Sequence, residues 1–328
     1  MKPLGLMLAS TLNLAVLRDI ARSCEDNGAH ALWFPDTRFV RDPFVGLAQL
    51  AAATDHVTIG TAVTDPYVRH PALLAMAIGT IGELAPGRLR LGLGAGASGL
   101  AHLGIERSRP VTTLRDAVAT IRALLAGKAV DLTEGAGPPV QLEFPTRPVP
   151  VLIGTRSPGL LRLAGEVADG AILGHLVDAT AIARARQEME AAAGDRHVHL
   201  IARIQVIVGG TVDDRRRHAR QVAAWVVRQH AGRLDWLEEI GLSVPDDLRI
   251  AIEQVTSPRD VGRAFEFVPD ELANALALQA ADRTHAAELI AGISDIPGVD
   301  ELMLRVDTLD GEEASGAVAV LASAIDAN

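Results

Sequence analysis

The stretch VTIGTAVTDPYVRHPALLA, Val57–Ala75, decides how the chain is read. Its first half is rich in the β-branched residues that suit a pleated surface, so Val57–Thr64 reads as a strand. Asp65-Pro66-Tyr67-Val68-Arg69-His70-Pro71 then ends it abruptly, with the chain's only tyrosine among them, before an apolar helix begins. A crowd of polar and ring-bearing residues at the exit of a buried strand marks either a difficult turn or a site.

Outward from this stretch the chain alternates. Strand-like runs fall at Leu4–Leu8, Ala31–Pro35, Leu89–Leu93, Val149–Gly154, Ala171–Gly174, Leu200–Val208 and Glu301–Val306. Helical patterns lie between them at Asn13–Asn27, Pro43–Ala53, Pro71–Leu84, Thr112–Ala126, Pro158–Val167 and Ala179–Ala193, followed by a long helical stretch from Asp213 to Ile293. In the first helix Leu14, Leu17, Ala21 and Cys24 share one face, and Gly28 follows as a stop. Several strands are continuous apolar runs, as parallel strands covered on both faces should be. With Val57–Thr64 this makes eight strands in 328 residues, which points to an α/β (β/α)8 TIM barrel forming a single domain over residues 1–328. The piece from about 234 to 293 exceeds one crossover helix and reads as a helical insertion before the last strand. In such a barrel the active site lies on the loops after the strands' carboxyl ends.

Charge and composition exclude several partners. The formal net charge of −10 argues against nucleic acid, whose phosphates need a basic surface. No apolar run approaches the roughly 20 residues that cross a bilayer. The single cysteine, Cys24, makes no internal disulfide, and no signal segment opens the sequence, so a cytoplasmic protein without membrane partners is expected. There is no HExxH, Cys/His cluster, P-loop or GxSxG elbow, so no metal ligands are assigned.

The motifs that remain sit at strand ends. GRLRLGLGAGASGL, Gly87–Leu100, alternates glycines at the end of the fourth strand. Either these let neighbouring backbones approach, or the bare backbone lets a flat ring lie close. VLIGTRSPGLLRLAGEVADGAIL, Val151–Leu173, ends a strand at Gly154 and leads through Thr155-Arg156-Ser157 to Pro158 at a helix start. Amides, hydroxyls and a guanidinium at a helix N-terminus suit a phosphate, with simple capping by Ser157 as the plainer alternative. Asp36, at the end of the second strand, reads as catalytic or ligand-orienting, or else as a turn former paired with Arg38. His70, with Arg69, either caps a helix or meets an anionic ligand.

Taken together, GTAVTDPYVRHPALLAMAIGTIGELAPGRLRLGLGAG and the segment Gly154–Leu173 resemble the luciferase-like monooxygenase superfamily, in its branch that uses the deazaflavin coenzyme F420, including methylenetetrahydromethanopterin reductases. The resemblance implies a (β/α)8 barrel, commonly homodimeric, with a tricyclic ring over a bulge in the third strand. It maps a non-prolyl cis peptide to Ala62-Val63, ring-side contacts to Gly94, Ala95, Gly96 and Ala97, and phosphate contacts to Gly154, Thr155, Arg156 and Ser157. It maps Asp36 to a carboxylate usually followed by histidine, where this chain has Thr37. It also implies an acid at the end of the first strand, where this chain has Met7-Leu8. The implied reaction is hydride transfer between coenzyme F420 and a small-molecule substrate, with Asp36 and His70 as catalytic candidates. FMN-dependent monooxygenation is the alternative, and a non-catalytic flavin-binding barrel a third reading. Arg38, Arg41 and Arg69 would form a basic rim for the polyanionic tail of coenzyme F420. The weakly polar helix Pro43–Ala53 suggests a homodimer.

Overall fold

The computed structural model of the protein describes residues 2–96, 99–175, 178–230, 234–239, 241–255, 261–311 and 313–327. Seven parallel strands neighbour one another in chain order: β1 (Leu4–Met7), β2 (Ala31–Phe34), β3 (Thr58–Thr61), β4 (Leu89–Gly94), β5 (Val151–Gly154), β6 (Gly170–Gly174) and β7 (His199–Val208). The final strand, β9 (Glu301–Thr308), pairs with β7 on one side and β1 on the other, which closes the barrel. Each barrel strand up to β6 leads into a helix: α1 (Leu14–Asp26), α2 (Pro43–Ala53), α3 (Pro71–Ile81), α4 (Pro110–Leu125), α5 (Pro158–Val167) and α6 (Ala179–Ala193).

Local chemistry sets these boundaries. The Asn13 side chain accepts from the Ala15 and Val16 amides and so starts α1, while Leu17, Ile20, Ala21 and Cys24 turn to the core. Gly28, at φ 81°, lets the chain leave α1 in a conformation closed to most side chains. In β2 the run Ala31-Leu32-Trp33-Phe34 is wholly buried, because helices cover its outer face and barrel-filling side chains its inner one.

Between β7 and β9 the expected helical stretch is interrupted. α7 (Val212–Gln229), α8 (Asp235–Glu239), α9 (Asp246–Glu253) and α10 (Asp270–Leu276) precede a short strand, β8 (Leu278–Ala280). The cause is β7 itself, which is ten residues long. β6 pairs with it only from His199 to Arg203, so Val206–Val208 would carry unpaired backbone groups at the barrel wall. β8 supplies those partners. Beyond it, α11 (Arg283–Ser294) packs on α12 (Glu313–Asp326) in the outer layer, so the insertion ends near β8 rather than at Ile293.

The barrel interior is filled by Ala31, Trp33, Leu152, Ile172, Ile201 and Met303. Below that layer, at the strands' amino ends, lies an ionic plug. Glu301 is fully buried and meets Arg90 Nη1 at 2.5 Å, His199 Nε2 at 3.4 Å and His30 Nε2 at 3.8 Å. Burial alone would raise the Glu301 carboxyl, but the His199 hydrogen bond and the Arg90 charge together hold it below the ordinary glutamate range. Its contribution to stability is therefore complete above the unfolded value of about 4.3 and fades as pH falls through the folded one. Glu301→Gln should destabilise the fold by roughly 3 kcal/mol at neutral pH, because it leaves Arg90 enclosed without its carboxylate. In thermal melts the gap to the wild type should narrow as pH is lowered below about 4; a gap independent of pH would remove the plug from the account of stability.

Candidate active site

At the opposite end of the barrel the ladder between β3 and β4 breaks. Regular pairing stops at Gly60↔Arg90, and the Ala62–Val63 peptide bond is cis. The Thr61 hydroxyl replaces the missing backbone partner: it donates to Gly92 O at 2.8 Å and accepts from Gly92 N at 2.9 Å. Pairing resumes when Thr64 N donates to Gly92 O and Gly94 N donates to Thr64 O. The displaced Val63 side chain fills the barrel mouth. A Cβ at Gly94 would lie 2.6 Å from Val63 Cγ2, and one at Gly154 2.7 Å from Val63 Cγ1. These glycines therefore serve close approach to the break. Ala95 follows Gly94 as a half-buried residue, Gly96 adopts φ 61°, and Ala97 lies outside the described residues.

The polar crowd after β3 resolves into a turn with a buried charge network. Asp65 Oδ1 accepts from the Tyr67 and Val68 amides at 3.0 Å each. Its other oxygen receives the Arg38 guanidinium, which also binds Asp36. The second Asp36 oxygen accepts from the Thr64 hydroxyl at 2.7 Å. Asp36 is thus held by Arg38 and the broken strand, as the turn-and-ion-pair alternative supposes, and both its oxygens are engaged. Gly99 lies against the Arg38 stem, where a Cβ would approach to 2.5 Å. Tyr67 donates to Ser108 O at 2.7 Å and so ties the loops after β3 and β4 together.

His70 is exposed and caps α3, its Nδ1 accepting from the Ala72 amide at 3.2 Å. The expected basic rim is largely spent within the protein. Arg69 pairs with Asp42 at 2.6 Å and stacks on Phe44, Arg41 donates to Thr11 O, and Arg38 serves two carboxylates. A rim of three free cations is therefore not what these side chains form.

After β5, Thr155 N joins Ile172 O and the Ser157 amide donates to Thr155 Oγ1 at 3.0 Å. Ser157 is the residue before α5, yet its exposed hydroxyl makes no capping bond, unlike the caps of α1, α2 and α6. That leaves the hydroxyl and the positive end of α5 facing outward, an arrangement suited to an anion. The Arg156 backbone belongs to this loop, but its guanidinium crosses to Gly174 O, approaches His230 Nε2 at 2.6 Å and stacks 4.8 Å from the Trp236 ring.

Across the mouth from the β3 break stands a second group that the sequence reading missed. Arg203 on β7 contacts Met7 Sδ at 3.1 Å, His175 Nε2, and Gln205 Oε1 at 3.5 Å. Arg305 on β9 pairs with Asp307 at 3.2 Å, and Asp307 also receives Gln205 Nε2 and His218 Nε2. Burial lowers Arg156 to about 10, Arg203 to about 9 and His230 to about 3, with neighbouring cations adding to the last two. The signal lay in the alternation of IARIQVIV and LRVDT, where a charged residue is followed two positions on by a polar or charged one along otherwise apolar strands. One cluster among the described residues has metal-like spacing, His197, His199 and Asp300, but it lies at the other end of the barrel and Arg186 pairs with Asp300.

Comparison with known proteins bears on the family and the barrel. Residues 3–300 match the model of the family described as luciferase-like monooxygenase. A 5,10-methylenetetrahydromethanopterin reductase of Archaeoglobus fulgidus is 30% identical over 286 residues, covering 82% of this chain and 83% of the relative. The corresponding enzyme of Methanolobus tindarius is 36% identical over 158 residues, and an F420-dependent glucose-6-phosphate dehydrogenase of Beutenbergia cavernae 39% identical over 138 residues. These two matches span only 48% and 40% of the relatives' lengths. The solved coenzyme F420-dependent tetrahydromethanopterin reductase from Methanopyrus kandleri superposes with a TM-score of 0.80 at 20% identity, over 98% of this chain and 97% of that one, which shows a shared barrel. With its family model matched over nine-tenths of its length and a 30%-identical relative aligned along most of it, the chain belongs to the luciferase-like monooxygenase family.

Proposed function

We propose that the protein is an oxidoreductase that uses coenzyme F420 to transfer hydride to or from a small organic substrate. The observation that carries this reading is the broken β3 strand facing the uncapped start of α5, a flat support and an anion site on one barrel mouth. The relatives named as a 5,10-methylenetetrahydromethanopterin reductase and an F420-dependent glucose-6-phosphate dehydrogenase support it. Such a deazaflavin supplies a carbon centre that exchanges hydride and reacts poorly with oxygen.

The chain's own residues would then do four things. Ala62 and Val63 would back the ring, and Gly94, Ala95 and Gly96 would border it. Gly154, Thr155 and Ser157, with the backbone of Arg156, receive the phosphate. The Asp36–Arg38–Asp65 network fixes the two loops that frame the ring and keeps its charges paired internally. Asp36 thereby acts as a positioning residue, and His70 sets the start of α3 from outside the mouth. Catalysis rests mainly on orientation of substrate over the ring. At the end of β1 Met7 occupies the place of an acid, so the methylene-reductase reaction is not carried over from the relatives.

Exposed apolar side chains on and beside α2 and α3, Val45, Leu73, Met76 and Leu84, each about half exposed, support a homodimer through that face. No helix among the described residues is long and apolar enough to cross a membrane. A cytoplasmic location and a single unit over residues 1–328 complete the reading.

Titration with coenzyme F420 and with FMN, at low and high salt, tests the cofactor. Tight F420 binding is expected, and Ser157→Ala should weaken it about tenfold, the scale of one hydrogen bond to a charged group. Tight FMN binding without F420 binding would replace hydride transfer by monooxygenation. For assembly, light scattering should give a dimer mass that Leu73→Glu with Met76→Glu reduces towards the monomer; an already monomeric wild type would refute the interface.

A further inference from the structure

The wall opposite the β3 break holds more positive charge than the protein itself neutralises. Ile201 and Met303 lie in the barrel interior, and side chains alternate along a strand. Arg203 and Arg305, two positions further on, therefore point into the same interior one level nearer the mouth, with Gln205 and Asp307 above them. The three guanidinium groups of this wall are Arg156, Arg203 and Arg305. The carboxylate beside them among the described residues is Asp307, which contacts Arg305, Gln205 and His218 and attracts Arg203 from further off. Arg156 and Arg203 lean instead on a backbone carbonyl, a thioether, an amide oxygen and two imidazoles. His175 itself is buried, with Nδ1 lacking any partner.

The two guanidinium groups also converge. A Cβ on Gly174 would lie 3.3 Å from Arg156 Nη2 and 3.9 Å from Arg203 Nη1, so they flank one position that carries no side chain. Enclosed charge that must share one carboxylate is costly, since Asp307 attracts Arg203 as well as Arg305, and burial weakens both Arg156 and Arg203 as bases. An oxyanion would give each the planar, two-pronged acceptor that an imidazole nitrogen cannot.

We propose that Arg203 and Arg156, beside Gly174 and His175, form a subsite for a carboxylate or phosphate borne by the substrate. The proposal rests on the F420 reading above, in which the cofactor's own phosphate lies at Thr155 and Ser157. An anion held here faces the ring's support across the mouth, and so fixes which end of the substrate meets the ring. The substrate class is accordingly a small anionic compound, and Arg203 is its anchor.

The test uses inorganic phosphate as probe, titrated calorimetrically into full-length protein with and without F420. Phosphate should bind the F420-loaded protein, and Arg203→Met should weaken that binding at least tenfold while leaving F420 affinity within twofold of the wild type. Gly174→Ala, whose Cβ would lie 3.3 Å from Arg156 Nη2 and push that guanidinium aside, should weaken phosphate binding in the same way if Arg203→Met does not fold. Absence of phosphate binding by the loaded wild type overturns the subsite. So does competition between phosphate and F420 together with loss of F420 affinity in Arg203→Met, since the arginines would then serve the cofactor. A protein that takes no F420 defeats the cofactor reading instead, and phosphate binding by the F420-free chain then decides the subsite separately.

Discussion

A parallel barrel must keep a continuous ladder of backbone hydrogen bonds, because its strands are buried on both faces and unpaired groups there are costly. The break in β3 violates this rule at Ala62 and Val63 and repairs it within two residues. Thr61 makes the repair possible, since its hydroxyl both donates to and accepts from the Gly92 backbone where the ladder has no backbone partner. Gly92, Gly94 and Gly154 follow from the same event: they leave room for Val63 as it swings into the mouth. The Asp36–Arg38–Asp65 network follows too, because Thr64, the first residue after the break, holds Asp36 by its hydroxyl. One local departure from strand geometry thus organises the exits of four neighbouring strands.

The two ends of the barrel treat buried charge in opposite ways. At the amino end Glu301 is surrounded by Arg90, His30 and His199, so attraction outweighs the burial that would otherwise protonate it. That end is closed and reads as stability. At the carboxyl end Arg156 and Arg203 face neutral acceptors, and burial pulls both below the ordinary arginine range. Charge left unmatched inside a fold is characteristic of a place where a ligand completes the structure. Met7 sharpens the contrast, because the group it sets beside Arg203 is a neutral thioether.

Much of the architecture was legible along the chain. Apolar runs such as Ala31–Phe34, stops such as Gly28 and prolines at the starts of α2, α3 and α5 are local signals, and each states its element without help from the rest of the fold. β8 was not legible, because Leu278-Gln279-Ala280 becomes a strand only where β7 outruns β6. Val57–Thr64 read as one strand for the converse reason: its composition favours β structure throughout, and the break depends on neighbours in β4.

For the site, the sequence by itself determined where chemistry could gather, at the ends of β2, β3, β4 and β5, and which residue types stood there. Tertiary structure decided which of them were free. Asp36 and His70 look alike as acid–base candidates in a linear reading, yet one is locked to Arg38 and Thr64 and the other caps a helix in solvent. Arg203 and Arg305 lie on strands far apart in the sequence and His175 just past a third, yet barrel closure sets β6, β7 and β9 side by side and gathers them on one wall. The physical reason is that a side chain's charge state and availability depend on what surrounds it in space, and closure brings β9 against β7 and, across nearly the whole length of the chain, against β1.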